Sequence, residues 1–174
     1  MGRSPNTVGG GANTTRNGLA FERGADLRDA FIDHPRYKLH GDNVIDRATD
    51  QKVGTLFEKN KLYKNLLEAQ GVDYKQLLSK KLLPDDALLV GGILHIIEKK
   101  YQAGAGSVDE KLQTCHFKLR QYTKLLAPLG IRVEFHYLLS DWFKAASYRD
   151  VLQYIEEVGC DYFFLEIPLD KLGL

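Results

Sequence analysis

Residues 82–102, LLPDDALLVGGILHIIEKKYQ, constrain the fold of this chain more than any other stretch. Two apolar runs flank Gly91-Gly92, and a Gly-Gly pair supplies the positive φ angles that a two-residue hairpin turn demands. The runs therefore predict two antiparallel strands. Asp85 and Asp86 stand at the entrance of the first, and Glu98-Lys99-Lys100 closes the second. Side chains alternate along a strand, so Glu98 and Lys100 share one face, with Gln102 following them, while Lys99 points the other way. Asp85 or Asp86 then lies across from this pair at the open end of the hairpin.

Two carboxylates and an ammonium converging at one place are costly to bury without compensation. A divalent cation relieves that cost. Asp85 or Asp86, Glu98 and the carbonyl of Lys99 are hard oxygen donors, the set that Mg²⁺ takes. A lysine beside such an ion stabilises negative charge on a phosphate or on a metal-bound water, which points to metal-assisted phosphodiester hydrolysis. The plainer alternative is a hairpin whose charged ends form a surface ion pair. Asp50-Gln51-Lys52 and Asp73-Tyr74-Lys75 repeat the acid-x-Lys spacing, but neither ends an apolar strand and neither faces a Pro-Asp.

The rest of the chain must supply cover for this hairpin. Residues 1–16 hold Gly, Asn, Thr, Arg and Pro with little to bury and read as an arm. In it Asn13, Thr14, Thr15 and Arg16 have the hydrogen-bonding groups that meet phosphates or base edges. Leu19, Phe21, Leu27, Phe31 and Ile32 predict a helix over 17–34, with Asn17 as its cap and Pro35 as its stop. Short strands are expected at 37–39, 43–45 and 53–57, and helices at 58–69 and 73–80. After the hairpin, Ser107-Val108-Asp109-Glu110 matches a capping box and opens a helix that runs to about residue 127. A strand over 131–139, a helix capped by Ser147 and stopped at Gly159, and a buried strand over 162–167 complete the order. Strands alternating with helices give an α/β fold, a mixed central sheet flanked by helices on both faces, in one domain spanning 1–174.

Pro84-Asp85, a gap of twelve residues, then Glu98-Lys99-Lys100 resembles the PD-(D/E)xK nuclease signature. The order of elements around it is similar to the restriction-endonuclease-like core. The segments EKKYQ and GSVDEKLQT, and the Gly-rich GGGANTTRNGLAFE, resemble what type II restriction endonucleases carry around the catalytic strand. The resemblance implies Mg²⁺-dependent cleavage of double-stranded DNA by a homodimer, with Asp85 and Glu98 as metal ligands and Lys100 placing the attacking water. Asp86 competes with Asp85, because the double acid leaves the register open. Glu22 would match a first-helix carboxylate that some members add to the metal site, and Gln102 the polar residue extending the catalytic strand. The helix after the hairpin usually flanks the DNA cleft in that fold, which makes Lys111, Gln113 and Thr114 candidate DNA contacts, with Lys118 and Arg120 further along on different faces.

Composition narrows the alternatives. A net charge of +1 does not announce a nucleic-acid binder by itself, although Lys59, Lys61, Lys64, Lys75, Lys80 and Lys81 gather ahead of the hairpin. No apolar run reaches the length of a membrane span, no signal-peptide core opens the chain, and two cysteines give no disulfide framework, so a cytoplasmic protein is expected. Cys115-His116, His136 and Cys160 lack the spacing of a zinc site. There is no nucleophile elbow for a small-molecule hydrolase. Homing or junction-resolving nucleases of the same fold, and a non-catalytic DNA-binding subunit, are the competing readings.

Overall fold

The computed structural model describes residues 27–102 and 108–174. Seven strands form one mixed sheet in chain order. β1 (Tyr37–His40), β2 (Asn43–Asp46), β3 (Lys52–Phe57), β4 (Asp86–Val90) and β5 (Ile93–Lys100) make an antiparallel meander. β6 (Arg132–Leu139) and β7 (Asp161–Phe164) then add in parallel. Parallel neighbours need a crossover. Helices α1 (Val108–Leu112) and α2 (Cys115–Leu126) cross from β5 to β6, and α3 (Arg149–Glu157) crosses from β6 to β7.

The β4–β5 hairpin forms at the expected place. Gly91 and Gly92 take φ of 55° and 81°, values that β-carbon-bearing residues adopt only with strain. The register runs from Val90 opposite Ile93 to Asp86 opposite Ile97. β5 sits between β4 and β6, so its middle is buried on both faces and reads as an unbroken apolar run.

The two faces are covered differently. One carries Ala87, Leu94, Ile96, Phe135, Tyr137 and Leu139 against Leu112, Cys115, Tyr122 and Leu125 of the crossover helices and Ile155 of α3. The other carries Leu56, Leu88, Val90, Ile97 and Leu138 against Leu27, Phe31, Ile167 and Leu172. Among the described residues that second face is packed by short 3₁₀ turns, Asp29–Phe31 and Leu169–Leu172, rather than by the α-helix expected there. Helices therefore flank one face only, among the described residues. None of them is long and apolar enough to cross a membrane.

Several local expectations change. The helix expected over 17–34 appears, in its described part, as the single turn Asp29–Phe31. Asp33 has φ of 54°, Ile32 is 67 % exposed, and Pro35 disfavours helical geometry at His34. The helix over 58–69 begins late, as a wide turn over Leu62–Leu67 followed by a 3₁₀ turn, Glu68–Gln70. The Lys59 N–H donates to the Pro84 carbonyl at 3.1 Å, which ties the start of that segment to the hairpin instead. At 73–80 only the turn Tyr74–Gln76 forms, capped by the Asp73 carboxylate accepting from Lys75 N–H. The long helix is broken into α1 and α2 near Thr114, whose hydroxyl donates to the Lys111 carbonyl at 2.7 Å; Ser107 of the expected capping box lies outside the described residues. Ser147 gives no cap to α3, being inside the 3₁₀ turn Ala146–Tyr148. The last strand stops at Phe164, because Leu165 turns at φ 63° and sends Ile167 into the opposite core.

Candidate metal centre at the open end of the hairpin

The register separates the two adjacent acids. Asp86 pairs with Ile97, so its side chain shares the face of Ile97 and Lys99. There its carboxylate meets the Lys99 ammonium at 2.7 Å, with the two side chains 6 % and 7 % exposed. Asp85, one residue earlier, falls opposite Glu98. Strand β4 ends its ladder at Asp86, and the Asp85 carboxylate takes up the next ladder donor, accepting from Lys99 N–H at 2.8 Å. The Lys99 N–H thereby holds the Asp85 carboxylate at the end of the ladder, next in register to Glu98, and Asp86 is turned to the opposite face from Glu98.

Glu98 is buried, and two ammonium groups converge on its Oε2: Lys100 Nζ at 3.0 Å and Lys118 Nζ at 2.7 Å. Lys100 Nζ also donates to the Lys99 carbonyl at 3.1 Å. One ammonium thus sits on a carboxylate oxygen and a backbone carbonyl oxygen, two donors of the expected cation set. Lys100 also lies 5.8 Å from the centre of the Tyr137 ring, which limits its swing.

Tyr122 of α2 roofs the cluster. Its phenol is fully buried, and its hydroxyl has no hydrogen-bond partner among the described residues. Burial above all, then the negative charges of Glu98 and Asp85 and the phenol of Tyr63, push its pKa far above the usual tyrosine range. Gln102 is buried one step beyond Lys100. Neither its amide oxygen nor its amide nitrogen is hydrogen-bonded among the described residues, while its backbone is clamped by Ser140. Buried polar atoms without partners are rare and mark places where a ligand or water completes the network.

The other expected residues are distributed as follows. Lys111, Gln113 and Thr114 stand exposed at the α1–α2 junction. The Lys111 carbonyl is taken by Tyr137 Oη at 3.0 Å as well as by Thr114, so the Thr114 hydroxyl is committed to the chain itself. Glu22, Asn13, Thr14, Thr15 and Arg16 lie outside the described residues. Of the lysines ahead of the hairpin, Lys61 pairs with Asp42 and Lys81 stacks over Tyr63 and Tyr74, each at 4.8 Å. Lys118 contributes more than the sequence allowed. It was one of two cations on α2 with no means of choosing between them, and only the packing of α2 against β6 brings it onto Glu98 of the neighbouring strand.

A second group is not assembled from the sequence, where His136 alone of its members is weighed for zinc, with Cys115, His116 and Cys160, and set aside on spacing. His95, Glu134 and His136 bring three donor atoms within 4.8 Å of one another on the opposite face of the sheet. Glu134 and His136 show the i, i+2 spacing of one strand face, but His95 joins them only through the parallel β5–β6 register. No family model, no curated protein and no solved structure matches the chain.

Proposed function

We propose that this chain is a metal-dependent phosphodiesterase acting on double-stranded DNA, with its centre at Asp85, Glu98 and Lys100. The observation that carries this reading is Lys100 Nζ bound at once to Glu98 Oε2 and the Lys99 carbonyl, with the Asp85 carboxylate accepting from the Lys99 N–H. Those oxygens already hold a cation, and their hardness and number suit Mg²⁺. Asp85, Glu98 and the Lys99 carbonyl would hold the ion. Bound there, it would supply Lewis-acid polarisation of a phosphoryl oxygen and a more acidic bound water.

The chain's own groups do the rest. Two lysines share one Glu98 oxygen, so a divalent cation at Glu98 competes with both. Lys118, on the crossover helix, is the one free to swing toward an incoming phosphate; Lys100, leaning on Tyr137, stays close and stabilises charge on the attacked phosphorus oxygens. The protonated Tyr122 hydroxyl and the Gln102 amide have hydrogen-bonding capacity left to orient a water or a phosphate oxygen. Asp86 and Lys99 hold β4 against β5 from behind.

The narrower reading, a type II restriction endonuclease working as a homodimer on a symmetric site, rests on the resemblance of Pro84-Asp85 and Glu98-Lys99-Lys100 and of the segments around them. Lys111 and Gln113 are the described candidates for contacts outside the centre, and Asn13, Thr14, Thr15 and Arg16 the candidates in the arm. The experiment is digestion of plasmid DNA with and without Mg²⁺. Discrete fragments that vanish with a chelator support the restriction reading. A smear supports a nuclease without sequence choice, and no cleavage with Mg²⁺ or Mn²⁺ on any duplex refutes both.

A further inference from the structure

On the face of the sheet opposite Asp85 and Glu98, the same strand β5 carries a second cluster of different chemistry. His95 pairs with Glu134 and Ile97 with His136, so both imidazoles and the Glu134 carboxylate project to one side. His95 Nδ1 stands 3.1 Å from His136 Nε2 and 3.3 Å from Glu134 Oε2, and His136 Nε2 stands 4.0 Å from that oxygen. These separations leave a point about 2 Å from all three atoms, the length of a zinc–nitrogen or zinc–oxygen bond.

The surroundings match a ligand cluster more than a surface ion pair. His95 and His136 are 2 % and 1 % exposed. The rings meet edge to edge with nitrogen facing nitrogen, an arrangement that satisfies one of them only if it donates to the other. His95 Nε2 and His136 Nδ1 have no hydrogen-bond partner among the described residues. His136 Nδ1 lies 3.7 Å from Asp161 Oδ2, the position from which a carboxylate orients a ligating imidazole. Arg132 holds the second oxygen of Glu134 at 3.1 Å, leaving Oε2 for the cluster. Burial disfavours the charged form of both imidazoles.

We propose that His95, Glu134 and His136 bind a borderline transition cation of the Zn²⁺ type, which links β5 to β6 behind the candidate catalytic face. Each ring turns about its Cβ–Cγ bond so that both lone pairs converge on the ion, and a solvent molecule fills the position beside the half-exposed Glu134. Two imidazoles with one carboxylate favour Zn²⁺, Co²⁺ or Ni²⁺ over Mg²⁺, so the two faces of the sheet select different ions. This inference does not depend on the nuclease reading.

The test uses the full chain carrying Glu98→Gln, which disables the front cluster, freed of metal by a chelator and titrated with Co²⁺. The expected result is one equivalent bound with visible ligand-field bands, displaced by Zn²⁺, and a melting temperature raised by Zn²⁺. His95 and His136 variants risk misfolding, so the deciding substitution is Glu134→Gln at the half-exposed position. It is expected to weaken Co²⁺ binding at least ~10-fold, the scale on which supporting and ligating groups act. Absence of the bands, unchanged affinity in Glu134→Gln, or a thiolate charge-transfer band placing the ion at Cys115 and Cys160 would each overturn the proposal.

Discussion

Replacing Asp86 and replacing Asp85 should have opposite consequences, although the two acids are neighbours in sequence. Asp86 and Lys99 form a buried pair at 2.7 Å with side chains 6 % and 7 % exposed. Asp86→Ala leaves the Lys99 ammonium in that site without its carboxylate. Breaking such a pair costs about 3–5 kcal/mol, because the remaining charge is neither paired nor hydrated. At about 2–4 °C per kcal/mol for a chain of this size, the melting temperature should fall by about 6–20 °C. The double variant Asp86→Leu/Lys99→Met should recover most of that loss, since apolar groups of similar volume replace a buried pair at little net cost. Asp85→Asn keeps a side-chain oxygen for Lys99 N–H and should move the melting temperature by less than about 2 °C, the range of substitutions outside the core. On the proposed reading DNA cleavage should nonetheless be lost, because the asparagine amide would not hold the ion as a carboxylate would. Paired melts and plasmid digests of the four proteins decide the matter. A melt of Asp86→Ala within about 2 °C of wild type, or Asp85→Asn cleaving at the wild-type rate, would refute the division of labour.

Other consequences can be measured as simply. Lys118→Met removes a cation from Glu98 and should lower the Mg²⁺ concentration needed for half-maximal cleavage several-fold, while reducing the maximal rate; an unchanged Mg²⁺ dependence would contradict competition at Glu98. Gly92→Ala forces a β-carbon residue to φ 81° at the hairpin turn and should cost about 1–2 kcal/mol in denaturant melts, whereas no loss would mean the turn relaxes. The Asp46 carboxylate is held below its usual range chiefly by the Ala48 N–H, then by Arg36. A lowered carboxylate pKa stabilises above the unfolded value of 3.8 and loses that effect as pH falls through the folded value. Asp46→Ala should therefore lower the melting temperature at pH 6, with the gap to wild type narrowing as pH falls below 3.8, and a gap independent of pH would count against it.

The hairpin was legible because its signals are local: Gly-Gly supplies its own turn geometry, and alternation places Glu98 with Lys100 without further information. The choice between Asp85 and Asp86 was not, since it depends on where β4 stops pairing, and a one-residue shift moves every side chain to the other face. The first six strands were read within a residue or two, the last ran three residues too far, and helices were overextended. The Lys59–Pro84 bond, the break at Thr114 and the turn at Asp33 are set by contacts between distant segments or by strained backbone that apolar spacing does not encode. The grouping of His136 with His95 and Glu134 stayed hidden for the same reason. A histidine in an apolar strand carries no mark of its partner, and the parallel pairing of β5 with β6 is created by a crossover of some thirty residues.

The central claim is that Lys100, held between Glu98 and the Lys99 carbonyl, serves phosphodiester cleavage. It is tested most directly by the single-turnover cleavage rate of Lys100→Ala on plasmid DNA at saturating Mg²⁺, with its melting temperature measured alongside. The account predicts a rate lower by about 10²–10⁴, the scale of a positioned group acting on the reacting atoms, with the fold retained. A folded Lys100→Ala protein that cleaves as fast as wild type would contradict it.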